Sequence, residues 1–110
     1  KENRVTVLSF MRATIEGNYL AVKEHDWAKD IMAKALNITN AKNLDITYNN
    51  FKTYTPLYAE PTIEGGKNII ATVEARNKST NIDDYIDQTI QTELRQEGFF
   101  EAMKKKYKLD

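Results

Sequence analysis

Cysteine is absent from the 110 residues and histidine occurs once, at position 25. The first absence excludes a disulfide framework and any thiolate metal site, and the second excludes a multi-histidine site. Glycine and proline are also scarce, with four and two copies, so the chain is neither collagen-like nor a Gly/Pro-rich linker. There is no excess of either charge: sixteen basic and sixteen acidic residues cancel. That balance removes the usual electrostatic drive toward nucleic acid or anionic lipid, and the sequence predicts no nucleic-acid partner. No apolar run approaches the roughly 18 to 20 residues needed to span a bilayer, so direct membrane insertion is not expected. What is present is 41% hydrophobic and 29% charged residues, the composition of one ordinary domain with a packed core. The chain opens "KENRVTVLSF", with neither an initiator methionine nor a secretory leader, and reads as a mature or excised portion of something longer.

Periodicity predicts an all-α chain of about five to six helices, a single helical unit over residues 1–110. From Arg4 to Glu24, Val5, Leu8, Met11, Ile15, Tyr19 and Val22 recur at three- and four-residue spacings, with Asn3 as the N-cap. Gly17 inside that span costs about 1 kcal/mol relative to alanine, so the helix either bends there or has a neighbour packed close, and one long helix with a weak point is expected. In "HDWAKDIMAKAL", Asp26 is the expected cap of a second helix, with Trp27, Ala28, Ile31, Met32, Ala35 and Leu36 as its apolar stripe and Asn37 as its end. Thr39 is the expected cap of a third, bearing Leu44, Tyr48 and Phe51 up to Pro56.

Pro56 and Pro61 predict a short extended link, because each proline turns its predecessor away from the helical region. Pro61 or Thr62 then opens a fourth helix with Ile63, Ile70 and Val73 buried, favoured over a strand in spite of the β-branched "NIIATV". "NKSTN" is a loop, and Asn81 or Asp83 caps a brief turn with Ile82, Tyr85 and Ile86. A fifth helix carries Ile90 and Leu94 and stops at Gly98, whose left-handed conformation closes it. The last helix, about Phe99 to Tyr107, is expected to fold back through Phe99 and Phe100 onto Leu94 and Met103.

Each candidate for chemistry is outweighed by a structural role. "IEGGKN" has glycines and a lysine like a phosphate-binding loop, yet lacks the full spacing and has Asn68 where a Ser or Thr would meet the metal. Tight packing at Gly65 or Gly66 explains it better. His25 has Glu24 and Asp26 beside it but no partners for catalysis, so it reads as a solvated turn residue. Asp83, Asp84 and Asp87 lack calcium-loop spacing and suit the positive ends of helices. Asn37-Ile38-Thr39 and Asn77-Lys78-Ser79 match the N-glycosylation pattern and mark surface turns. Lys104, Lys105, Lys106 and Lys108 complement a helix C-terminus. The sequence therefore predicts no catalytic residue, no metal and no cofactor, and it names no ligand-binding residue.

Taken in order, "NRVTVLSFMRATIEGNYLAVKEHDWAKDIMAKAL", "PTIEGGKNIIATV" and "NIDDYIDQTIQTELRQEGFFEAMKK" resemble the C-terminal part of periplasmic-type solute-binding proteins of ABC importers. The nearest branch is the nitrate/taurine/alkanesulfonate type, whose superfamily includes the pyrimidine synthases of thiamine biosynthesis. The likeness is carried by Arg12-Ala13, by His25 to Leu36, by Pro61-Thr62 with Gly65, and above all by Asp87, Leu94, Glu97, Gly98 and Phe99. Gly17, Asn18 and Gly66 depart from the family's more continuous helices.

This resemblance implies a helical fragment of a two-lobe α/β fold that closes on a small solute and hands it to an ABC permease. It further implies an extracytoplasmic location, periplasmic or held at the cell surface by an upstream anchor. The strands and most ligand-contacting loops would then lie upstream of Lys1. Two other readings stand beside it: an autonomous helical module for protein interaction or self-association, and a fragment of a thiamine-pyrimidine biosynthetic enzyme, to which His25 lends no support.

Overall fold

The computed structural model describes residues 3–72 and 81–109. Among them run six α-helices and one 3-10 turn, with no strand: α1 (Arg4–Lys23), α2 (His25–Leu36), α3 (Ala41–Tyr54), α4 (Ile63–Thr72), the turn Ile82–Asp84, α5 (Thr89–Gln96) and α6 (Phe99–Tyr107). The all-α expectation holds. Val73 and the loop "NKST" lie outside the described residues.

The core forms where α1 meets α5 and α6. Leu8, Ile15 and Tyr19 line one side of α1 and are buried with Ile90 and Leu94 of α5 and Phe100 and Met103 of α6. Each large apolar side chain so buried contributes roughly 1.5 to 3 kcal/mol. α1 is helical through Gly17, and a β-carbon built there would meet nothing within 4 Å, so no neighbour explains the glycine. Asn3 precedes α1 but makes no side-chain cap.

α2 follows after Glu24 alone, which occupies the N-cap position without a side-chain bond. Asp26 is thus not the cap; it stands in the first turn, where its charge complements the helix dipole. Asn37 ends α2 as expected, in the left-handed region at φ 54°, with its own N–H on the Ala33 carbonyl. α3 is capped by Asn40 and not by Thr39: Asn40 Oδ1 accepts from the Asn43 amide at 3.1 Å. Asn40 sits immediately before the helix with extended backbone, which is where a short side chain reaches the third amide. α2 and α3 form a hairpin held by Lys29 to Asp45 at 2.8 Å, and the buried Tyr48 ties it to α1 by donating to the Ala21 carbonyl at 2.8 Å.

The link from Thr55 to Thr62 is not simply extended. The Ala59 amide donates to the Pro56 carbonyl at 3.0 Å, and Ala59 takes φ 50°. The turn directs Leu57 and Tyr58 onto the core, where the Tyr58 ring lies 6.5 Å from Tyr19 and 4.5 Å from Phe100. Three helix side chains clasp the link by its carbonyls: Asn18 reaches Leu57 at 3.4 Å, Gln91 reaches Ala59 at 2.9 Å and Gln88 reaches Pro61 at 2.8 Å. Burial of apolar surface outweighs the extended preference that the prolines impose locally.

Thr62 opens α4, its hydroxyl accepting from the Gly65 amide at 3.2 Å, and "NIIAT" is helical. Gly66 lets Ile82 and Ile86 approach, since a β-carbon there would stand 2.7 Å and 2.5 Å from their Cδ1 atoms. Asn81 Oδ1 accepts from the Asp83 amide at 3.2 Å, capping the 3-10 turn. Gly98, at φ 74°, is the corner between α5 and α6. Of the two phenylalanines after it, Phe100 is the buried one, and Phe99 is half-buried against the same cluster.

The Cα radius of gyration is 17.0 Å, against about 13 Å for a tightly packed chain of this length. The excess has a visible source. The α2–α3 hairpin meets only α1 extensively, and α4 packs chiefly on the 3-10 turn, so neither closes over the core.

Candidate functional site

α1 has two chemically different sides. Along one, three charges are matched by partners on α5, at its end and on α6: Arg4 bonds Glu93, Arg12 reaches Glu97 at 2.6 Å, and Glu16 reaches Lys106 at 2.5 Å. The signs run plus, plus, minus on α1 and minus, minus, plus opposite. Each pair is partly exposed and contributes about 0 to 1 kcal/mol. Together they fix how α1 lies across α5 and α6. Glu16 Oε1 also accepts from the Tyr107 hydroxyl at 2.6 Å. The Lys106 ammonium first, and then the Tyr107 hydroxyl, hold the Glu16 carboxyl below the usual carboxylate range.

The other side of α1 carries no charge. Thr6, Val7, Phe10, Ala13, Thr14 and Gly17 are all exposed there, with Phe10 68% and Val7 44% accessible. In a chain with 29% charged residues, an exposed helix face of this length without one is the most distinctive surface feature among the described residues. Further apolar side chains stand exposed on α2, namely Trp27, Ile31 and Leu36.

The residues singled out in the sequence are dispersed. His25, exposed at the start of α2, places Nδ1 2.8 Å from Asp26 Oδ1 and faces no nucleophile. "IEGGKN" forms the first turns of α4, with Gly65 satisfied by Thr62 and Lys67 exposed. Asp87 accepts from the Thr89 amide at 2.9 Å, and its carboxyl is held below the usual range by the Thr89 side chain and then by that amide. Asp83 and Asp87 line a concavity of about 450 Å³ with Ile63, Ile86, Gln88 and Thr89, and Asp84 is outside that lining. No three His, Cys, Asp or Glu among the described residues are grouped to hold a metal ion.

The four lysines divide: Lys106 binds Glu16, Lys104 lies 3.4 Å from Glu101, and Lys105 and Lys108 are exposed. Lys104, Lys105 and Lys108 border a second concavity of about 430 Å³. Asn37 and Thr39 are exposed; Asn77 and Ser79 lie outside the described residues. No described helix is long and apolar enough to cross a membrane.

The bare face of α1 was not singled out from the sequence. Its signal lies in the uncharged positions 6, 10, 13 and 17, whereas the apolar period marks only the opposite, buried side.

No protein-family model, no curated protein and no solved structure matches the chain.

Proposed function

We propose that the chain is the C-terminal helical part of an extracytoplasmic solute-binding protein that delivers a small molecule to an ABC importer, without catalysis. One observation carries this reading. Each sequence block that bears the resemblance falls in a defined helical element, in the same succession: α1 and α2 for the first, α4 for the second, and the 3-10 turn, α5, the Gly98 corner and α6 for the third. Arg12 and Glu97, two of the residues that carry the likeness, are ion-paired at 2.6 Å, and Leu94 is fully buried beside Phe100. Leu94 thus serves the core, and the Arg12–Glu97 pair ties α1 to the end of α5.

In this reading the parent protein works by ligand-stabilised closure of two lobes, with no bond made or broken. The permease would be its partner, and the solute would be held by residues upstream of Lys1. A longer protein that includes the upstream polypeptide should gain thermal stability with a small anionic or zwitterionic solute, as any ligand that binds only the folded state requires. A broad solute panel that leaves its melting temperature unmoved counts against the proposal.

A further inference from the structure

The link between α3 and α4 is held the way a short bound peptide is held. Carboxamide side chains donate to the carbonyls of every second residue: Asn18 of α1 to Leu57 at 3.4 Å, Gln91 of α5 to Ala59 at 2.9 Å, and Gln88, just before α5, to Pro61 at 2.8 Å. The residues between are gripped by their side chains. The Tyr58 ring lies 4.5 Å from that of Phe100, and Glu60 pairs with Arg95 at 2.9 Å. Main-chain bonds of this kind give affinity for an extended segment, while the two side-chain contacts set a pattern of aromatic, any residue, acidic. The fit is incomplete at its centre. Gln91 is 4% exposed, and its Oε1 meets no donor among the described residues although its Nε2 holds the Ala59 carbonyl. In an extended residue the N–H and C=O point to one edge, so a single carboxamide can meet both. Here the Ala59 amide is turned back onto Pro56, with Ala59 at φ 50°, a left-handed conformation unfavourable to alanine. None of residues 57–61 is buried, and the buried cluster beneath them is drawn from α1, α5 and α6 alone.

We propose that the surface of α1, α5 and α6 beneath this link is a recognition groove for an extended segment of a partner protein, with an aromatic residue two positions before an acidic one, and that residues 57–61 are its internal, displaceable occupant. An extended ligand fills the same contacts. With its central N–H free, it also supplies Gln91 Oε1 with the donor that the link withholds. The tether gives the link a high effective concentration, so a free peptide competes poorly until the link is weakened. The groove is thus masked, and its apparent affinity is set by the fraction of molecules in which the link is released. The inference goes beyond the transport reading and does not depend on it; its failure would leave that reading standing.

The probe is the chain's own segment as a free fluorescein-labelled peptide, TPLYAEPT, titrated with the 110-residue chain and read by fluorescence anisotropy. Weak binding to the unaltered chain is expected. Tyr58→Ala empties the aromatic contact, and Glu60→Lys sets like charge against Arg95; both leave the groove whole, so each should bind the probe at least about tenfold tighter. Gln91→Leu and Arg95→Ala alter the groove itself and should remove binding even when combined with Glu60→Lys. Residues that only hold the fold together would shift both sets of variants in one direction, whereas a masked groove gives opposite signs. Circular dichroism checks that the helices are retained, and Glu60→Lys carries the test by itself if Tyr58→Ala loses them. Equal affinity of the unaltered chain and Glu60→Lys, or equal binding of a scrambled peptide, overturns the proposal. So does sedimentation at doubled mass when the link is weakened, which would make a second copy of the chain the occupant.

Discussion

The ring of Tyr58, from the link between α3 and α4, lies 4.5 Å from the ring of Phe100 on α6, centroid to centroid, at an interplanar angle of 51°. Phe100 is therefore enclosed by two distant parts of the chain, with Leu94 and Met103 in the same cluster. Truncating it removes a fully enclosed ring and leaves a cavity, for which about 3 to 5 kcal/mol is expected. Phe99, half-buried, should lose less than half as much. Denaturant midpoints of Phe100→Ala and Phe99→Ala, compared at constant slope, check the order; equal losses would contradict the placement of the corner.

Three glycines should respond to alanine in different ways. Gly17 is helical and has open space where a side chain would go, so Gly17→Ala should stabilise by about 1 kcal/mol through helix propensity. Gly98 takes φ 74°, and Gly98→Ala should cost about 1 to 2 kcal/mol of left-handed strain. Gly66→Ala should gain less than Gly17→Ala, because the Cδ1 ends of Ile82 and Ile86 must retreat from the new methyl group. Thermal unfolding of the three variants gives the signs directly.

The contrast between these glycines marks what the sequence could disclose. Gly98 was legible, since a glycine between two amphipathic stretches and ahead of two aromatics signals a left-handed corner. Helix identity was equally legible from the spacings around Leu8, Ile15, Tyr48 and Leu94. Gly17 was legible as a weak point but not as an exposed one, because periodicity reveals the buried stripe and is silent on what the opposite face meets. The clasp on the Thr55–Thr62 link was hidden for a different reason. Prolines dictate local extension, whereas Tyr58 is drawn inward by Tyr19 and Phe100, residues about 40 positions away on either side in sequence. The caps erred by one or two residues at Asp26 and Thr39, where several short polar side chains stood side by side and only the backbone conformation at Glu24 and Asn40 chose between them.

Acid should loosen α6 from α1. The folded Glu16 carboxyl titrates below its unfolded value, because it accepts hydrogen bonds from Lys106 and then Tyr107. A group so depressed contributes stability above its unfolded pKa, about 4.3 for glutamate, and that stability is lost as pH falls through the lower folded value. Tyr107 is shifted the other way, its hydroxyl pushed up by donating to Glu16, so its contribution is lost only as pH rises past the unfolded value of about 10. Urea midpoints from neutral pH down to about 3 should therefore fall more steeply for the unaltered chain than for Glu16→Gln, which has no proton to gain. Parallel curves would mean that the Glu16 cluster does not hold in solution.

The hairpin of α2 and α3 depends on one phenol. Tyr48 is buried, and its hydroxyl donates to the Ala21 carbonyl, one of the last-turn carbonyls of α1 that its own helix leaves unsatisfied. Lys29 and Lys52 stand 5.6 Å and 5.2 Å from the centre of the same ring. Tyr48→Phe keeps the ring and both ammonium contacts and removes only the hydroxyl, so about 1 kcal/mol should be lost. Tyr48→Ala removes the ring as well and should cost about 3 to 5 kcal/mol, as for other large aromatic truncations. Hydrogen exchange distinguishes where the loss falls: amides of α2 and α3 should exchange faster in Tyr48→Ala while those of α5 and α6 keep their protection, because the hairpin's main contact with the other described helices is along α1. Equal acceleration in both regions would mean that the hairpin and the core unfold as one unit.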